Sequence, residues 1–241
     1  MNKGPSHEAK WPKRLPELSD EQQRISDEFM RAWHKQLPSK YSVVERFNHG
    51  FPVRLSTDPF QETLEIGAGL GEHLKWENLS GVRLMGYVGV DLRANMAAEM
   101  MRQFPKARAF VGDCQKTLPF ADCSFDRLIA IHVLEHLPNL PAAIAEMRRL
   151  IRPNGYGIVV IPCEGGLAYS IARKISAERF YKRQFGGSYR WLYSREHINR
   201  PREIIEEIKH HFTIDYTEFF PLAALPLVAT NICIGLRIRP R

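Results

Sequence analysis

The stretch Leu64-Glu65-Ile66-Gly67-Ala68-Gly69-Leu70-Gly71 decides the fold. An apolar run passes straight into three glycines at alternate positions, and a helix is expected to follow over 70–78. Glycine permits a sharp turn and close approach of backbone to a ligand. The free N–H groups at a helix start favour a carboxylate or phosphate. A second element lies 24 residues past Gly67, where Tyr87-Val88-Gly89-Val90-Asp91 reads as a strand ending in an acid. In open parallel sheets an acid at that point accepts hydrogen bonds from ribose hydroxyls, and a carboxylate suits a diol because both its oxygens only accept. The glycine spacing is G-x-G-x-G. The dinucleotide fingerprint G-x-G-x-x-G would need glycine where Glu72 stands, and a carboxylate there repels a pyrophosphate, which argues against a nicotinamide cofactor.

Outward from this loop, strands are expected at 62–67, 84–91, 107–112, 125–132 and 156–162, with helices at 70–78, 93–103 and 139–151. Short apolar strands alternating with helices predict a parallel sheet covered on both faces. Residues 163–200 break the rhythm with a helix near 168–184, then Gly186-Gly187-Ser188, then the aromatic run Tyr189, Trp191 and Tyr193. A helix from Pro201 to His211 and strands at 212–220 and 229–239 complete the pattern, the last two joined as a hairpin across Pro221 to Pro226. At the other end, residues 1–18 read as a flexible tail punctuated by Pro5, Pro12 and Pro16. Residues 19–57 read as a helical extension. It opens on a capping box, Ser19 with Gln22, and carries Ile25, Phe29, Trp33 and Leu37 at helical spacing before Pro38 stops it. A second short helix is expected from Tyr41 to Asn48, ended by Gly50 and Pro52.

The chain has 241 residues and a net charge of +7, six of which fall between Glu164 and Arg202, where nine Lys/Arg face three Asp/Glu. Such a segment attracts an anionic substrate, a nucleic acid or a lipid headgroup, or is simply a solvated basic face. No apolar run approaches the roughly 20 residues that span a bilayer, and no signal-peptide core precedes Arg14, so a cytoplasmic location is expected. Cys114, Cys123, Cys163 and Cys233 form no C-x-x-C pair, no metal site is expected, and free thiols are the simplest account.

Further segments fall in a recognisable order: Phe110-Val111-Gly112-Asp113-Cys114, Leu118-Pro119-Phe120, Ser124-Phe125-Asp126, His132-Val133-Leu134-Glu135-His136-Leu137 and Leu150-Ile151-Arg152-Pro153-Asn154-Gly155-Tyr156. With the glycine loop and Asp91 they make the chain resemble the class I S-adenosylmethionine-dependent methyltransferases, in particular the type 11-like small-molecule group. The likeness is good over 60–162 and looser in the last strands. It implies a Rossmann-like, seven-stranded, mostly parallel sheet with helices on both faces and a terminal antiparallel strand. Residues 58–241 would form the methyltransferase domain, with 163–200 as a substrate-recognition insertion. It also implies a site for S-adenosylmethionine. Gly67, Ala68, Gly69 and Gly71 would lie against the methionine part, and Glu65 would brace the loop and reach the ammonium. Asp91 would hold the ribose and Leu92 the adenine edge. Asp113 and the Cys114 amide would serve the adenine, and Ile131 to Leu134 would border the reactive methyl.

Methyl transfer is an in-line displacement, in which alignment and exclusion of water matter most. A hydroxyl acceptor also needs a base. His132 and His136 are the candidates, His136 being equally readable as a buried structural histidine, with His197 and Tyr193 behind them. The insertion interleaves Arg173, Lys174, Arg179, Lys182, Arg183, Arg190 and Arg195 with aromatic residues, which suits an anionic, ring-containing or glycan- or lipid-linked acceptor methylated at O or N. The bland reading is a cover whose aromatics pack inward. An RNA acceptor is the less favoured alternative, since no separate RNA-binding module is visible. A silent binding protein of the same fold is a third reading, opposed by the intact loop and Asp91. Oligomeric state is not legible.

Overall fold

The computed structural model describes residues 10–40 and 42–241, and the side chains of these except 33–40. The extension is a pair of helices, α1 (Asp20–Lys40) and α2 (Ser42–Leu55). The capping box forms: Gln22 N donates to Ser19 Oγ at 3.2 Å and Ser19 N to Gln22 Oε1 at 3.1 Å. α1 continues past Pro38, where it was expected to stop. The Trp33 and Leu37 side chains and Tyr41 lie outside the described residues, as do residues 1–9 of the expected tail. Residues 10–18 are docked on the domain: Lys13 N donates to Pro138 O, and Lys13 Nζ reaches Ile198 O at 2.8 Å and both Glu203 oxygens.

α2 also runs through Gly50 and Pro52, the residues expected to end it. Phe47, Phe51 and Pro52 are buried, and tertiary packing of this face outweighs the roughly 1 kcal/mol intrinsic cost of glycine in a helix. Pro52 falls in the last turn, and its carbonyl is satisfied by Ser56 Oγ at 2.7 Å. The Phe51 ring lies on Gly235, where a Cβ would stand 2.6 Å from ring atoms.

The sheet contains β1 (Thr63–Ile66), β2 (Tyr87–Asp91), β3 (Arg108–Val111), β4 (Phe125–Ile131), β5 (Ile151–Pro162), β6 (Phe212–Phe220) and β7 (Cys233–Pro240), in the order β3-β2-β1-β4-β5-β7-β6. β1 to β5 pair in parallel, and β7 is antiparallel to both its neighbours. One face packs Leu64, Val88, Leu128 and Val159 against α5 (Leu140–Leu150) and α9 (Pro201–His211). On the other, Tyr156, Ile158 and Val160 meet Phe47 and Phe51 of α2.

Three boundaries differ from expectation, the first being the last strand, expected from 229, which starts at Cys233 because Val228–Thr230 forms a 3-10 turn. The strand expected from 84 starts at Tyr87, because Gly81–Met85 forms a short helix, α3, that leaves Val82 and Met85 in solvent and closes with Gly86 N on Val82 O. The segment around Asn154-Gly155, expected as a turn before β5, belongs to the strand: residues 152–155 bulge between the pairs Phe125–Ile151 and Arg127–Tyr156. α4 (Ala94–Gln103) follows β2 as expected.

Two predictions follow from this packing. Phe51→Ala should lower stability by about 3–5 kcal/mol, the usual cost of emptying a buried aromatic site, measured by denaturant unfolding. The second concerns Glu65, which is buried and accepts a hydrogen bond from Tyr87 Oη at 2.7 Å. Burial raises its pKa to about 8 against the opposing Tyr87 hydrogen bond. The folded protein therefore holds a proton that the unfolded chain releases near pH 4.5, so this group's stabilisation is lost as pH rises from about 4.5 to 8. Relative to Glu65→Gln, the wild type should lose stability across that window at a slope approaching about 1.4 kcal/mol per pH unit. Parallel curves for the two proteins would contradict it.

Candidate active site

The C-terminal ends of β1, β2, β3 and β4 lie side by side at one rim of the sheet. β1 leads directly into Gly67 at φ 71°, a conformation open to glycine, and a Cβ there would run into the Val133 side chain. Gly69 follows at φ 55°, with Glu72 Oε2 only 2.8 Å from where its Cβ would be. The helix expected over 70–78 is absent, and a 3-10 turn, His73–Lys75, stands in its place. The reason is visible in the loop amides. Gly67 N and Ala68 N both donate to Val90 O, Gly69 N to Asp91 Oδ2 at 3.0 Å, and Leu70 N to Glu72 Oε2 at 2.8 Å. Two carboxylates thus take the amides that a helix start would have presented.

Asp91 is buried at the end of β2. Besides Gly69 N, it accepts Arg93 N on Oδ1 at 2.9 Å and Arg93 Nε on the same oxygen at 3.4 Å, short of the four acceptor sites of a carboxylate. Leu92 beside it is exposed. Beyond β3, Asp113 Oδ1 closes a turn onto Gln115 N at 3.0 Å, while Oδ2 has Lys116 Nζ at 3.8 Å. Cys114 is buried, and burial pushes its thiol up to about 12. Ala68 is buried against Leu74 and Met100. Ile131 is partly buried toward α2. The structure thus brings the expected loop, ribose and adenine residues to one rim, with Glu65 beneath it on Tyr87. An uncovered Leu92 beside the buried Asp91 carboxylate fits the adenosine of S-adenosylmethionine, while over Gly67 and Gly69 the Val133 and Glu72 side chains stand where its methionine chain would lie and would have to give way.

The end of β4 carries a charged cluster. His132 stands at φ 51°, its amide bonded to Val160 O at 2.9 Å. Its Nδ1 is 3.2 Å from Glu135 Oε1 and its Nε2 is 3.9 Å from Cys233 Sγ. Glu135 is fully buried, and His136 Nε2 lies 3.7 Å from the same oxygen. Burial alone would raise the Glu135 pKa, but the His132 hydrogen bond and the fields of His136, His132 and His197 outweigh it and hold it at about 2. Burial opposes a charge on His132 too, yet Cys233 and Glu135 together raise its pKa above the ordinary value. His136 is shifted the other way, lowered by burial and by His197 despite Glu135, and its Nδ1 donates to Glu196 O. His197 in turn has Nδ1 3.0 Å from Glu164 Oε2 and stacks on Tyr193 at 5.5 Å. Glu135 lay in plain view between the two histidines of the sequence. Glu164 and Cys233 had no local signal: the pairing of β5 with β7 brings Cys233 here, and Glu164, just past β5, meets His197 only because the insertion folds back.

The insertion is a helical run, α6 (Leu167–Arg173), a π turn (Lys174–Glu178) and α7 (Arg179–Phe185), followed by α8 (Arg190–Glu196). Its aromatics face inward: Tyr181, Tyr189 and Leu192 bury themselves against Phe29 of α1, and Trp191 Nε1 donates to Tyr181 Oη at 3.1 Å. Its cations behave differently. Arg173, Lys182 and Arg190 border an open cleft of about 650 Å³ with Glu178 and Tyr193, and the Arg173 guanidinium lies 3.8 Å over the Tyr193 ring. No group of three or more His, Cys, Asp or Glu placed to hold a metal occurs among the described residues.

Residues 64–159 match the family model described as a methyltransferase domain. Sterol 24-C-methyltransferase ERG6B of Gibberella zeae is 31% identical over 120 residues, 47% of this chain but only 30% of its own length. Among solved structures, an S-adenosylmethionine-dependent methyltransferase of Thermotoga maritima, described as a possible histamine N-methyltransferase, superposes with a TM-score of 0.62 at 17% identity, covering 90% of this chain and 99% of that one. The N-methyltransferase NodS of Bradyrhizobium japonicum, solved with S-adenosyl-L-homocysteine, gives 0.61 at 15% identity, covering 90% and 97%. The strand order, the glycine loop and this match agree: residues 64–159 resemble a methyltransferase domain, and the chain shares the fold of these S-adenosylmethionine-dependent methyltransferases.

Proposed function

We propose that the protein methylates a small-molecule acceptor, held between the end of β4 and the 163–200 insertion, with S-adenosylmethionine as donor. What carries the reading is the convergence at one rim of a positive-φ glycine loop, a buried Asp91 and the Asp113 turn. When bound, the cofactor supplies a sulfonium-activated methyl group. Gly67 and Gly69 admit its methionine chain once the Val133 and Glu72 side chains give way, Asp91 accepts from the ribose hydroxyls, and Asp113 Oδ2 and the Cys114 amide serve the adenine. Glu65 and Ala68 shape the floor of the loop, Gly71 its exit and Ile131 the wall beside the acceptor. Calorimetry should register S-adenosylhomocysteine binding and none for NAD. Asp91→Ala removes a charged acceptor whose hydrogen bonds are worth about 1.5–3 kcal/mol each, and affinity should fall at least tenfold. Binding of NAD alone would overturn the reading.

His132 takes the role nearest the chemistry. Its raised pKa makes it an imidazolium near neutrality, able to hold an acceptor anion through Nε2 while Nδ1 stays on Glu135. His136, kept neutral, positions the cluster. An anionic acceptor agrees with the cations around the insertion cleft. An RNA acceptor is disfavoured because the tyrosines that would stack on bases, Tyr181 and Tyr189, are buried. No helix of the described residues is long and apolar enough to cross a membrane, and four free cysteines accord with a cytoplasmic setting. With an anionic acceptor, kcat/KM should fall as pH rises through the His132 pKa, because the imidazolium is lost above it. His132→Gln should flatten that limb and raise KM. A basic limb unchanged in the variant would exclude His132 as the titrating group.

A further inference from the structure

The loop between β6 and β7 reads Pro221-Leu222-Ala223-Ala224-Leu225-Pro226-Leu227, seven consecutive apolar residues, and every one of them is exposed. A soluble surface scatters single leucines but rarely gathers them. The loop has a built shape. Buried Asn231 accepts from Leu222 N at 2.7 Å and donates to Leu225 O at 2.7 Å and Leu227 O at 3.0 Å. One fully buried amide therefore holds the three leucines outward.

A second apolar row stands beside it. Leu167, Ile171 and Ile175 follow one another at i, i+4 and i+8 along α6 and the π turn, on the face opposite the buried Ala177 and Tyr181. α6 packs against the Val228–Thr230 turn that ends the loop, and at Gly166 a side chain would strike Val228 O. The six large residues of the two rows are between 45% and 69% exposed. The same helical run exposes Lys174, Arg179, Lys182 and Arg183, while Arg173 turns inward onto Tyr193 and the one acid, Glu178, lies between Arg173 and Lys182. An apolar row continued by cations is the arrangement by which a helix lies in a membrane interface and attracts anionic lipid.

Topology sets this surface at the mouth of the site. β6 runs in the same direction as β5, so the loop leaves the rim where Phe220 and Pro162 flank Cys233, whose sulfur is 3.9 Å from His132 Nε2. We propose that the β6–β7 loop and the outer face of α6 through α7 form a docking surface for an anionic phospholipid membrane, into which Leu222, Leu225, Leu227, Leu167, Ile171 and Ile175 insert while the basic residues engage headgroups. The charge decides for a membrane over a second copy of this chain, because two copies meeting on this surface would oppose like charges. The inference needs neither cofactor nor acceptor and stands apart from the methyl-transfer reading.

The test is flotation of the full chain with vesicles of phosphatidylcholine alone or containing about 30% phosphatidylglycerol. Protein should float with the anionic vesicles, at least tenfold less with neutral ones, and less again as salt rises. Leu222→Asp with Leu225→Asp, and separately Ile171→Ser with Ile175→Ser, should each reduce flotation at least tenfold with melting curves unchanged, since all four residues are exposed. Lys182→Glu with Arg183→Glu should abolish the preference for anionic vesicles. Failure of the wild type to float, equal flotation of the apolar variants, or a solution dimer that Leu225→Asp dissociates would each overturn the proposal.

Discussion

One carboxylate governs the rim on which the site depends. Asp91 accepts the Gly69 amide through one oxygen and the Arg93 amide through the other, so the loop after β1 is tied to the strand beside it and not to a helix of its own. Hydrogen bonds to a buried charge are among the stronger ones. Without this tie the loop would have three positive-φ glycines and no reason to stay where Val133 covers Gly67. The absence of a helix start follows from the same tie, since Asp91 and Glu72 leave Gly69 and Leu70 no amide to offer. A ligand carboxylate that sought the Leu70 amide would have to displace Glu72.

A second buried acid organises the acceptor side. Glu135 draws His132 and His136 to one oxygen and feels His197 beyond them. His132 and His136 share that one oxygen, and their opposite shifts express the competition for it, while His197 lies on a second acid, Glu164, at 3.0 Å. Chemistry and charge at this end are thus properties of the cluster and not of any one histidine.

Much of this was legible in the order of residues. The glycine spacing with Asp91, and the alternation of short apolar runs with helices, carried the sheet, its parallel core and the closing antiparallel strand. What escaped was set by contacts distant in sequence. Gly50 and Pro52 look like helix breakers until Phe51 is seen lying on Gly235, 184 residues away. Leu84 and Met85 read as the start of a strand because they are apolar, although Met85 faces water. The aromatic residues of the insertion looked available for a ligand, and their partner, Phe29, lies at the far end of the chain. Among the site residues, the loop and strand-end acids had local patterns, whereas Cys233 reaches His132 only through the pairing of β5 with β7, and Glu164 meets His197 only because α8 returns the chain to the end of β5.

The position of β7 also bears on how the sheet comes to be assembled. It is the last strand in chain order, yet it lies between β5 and β6. While the chain is emerging from a ribosome, the hydrophobic margin of β5 has no neighbour, and β6 has nothing to pair with until Cys233–Pro240 slides in between them. Pairings so remote from their place in the chain are entropically slow to form. The nascent polypeptide therefore passes through a stage with an open β edge, the kind of surface on which chaperones act and aggregates begin.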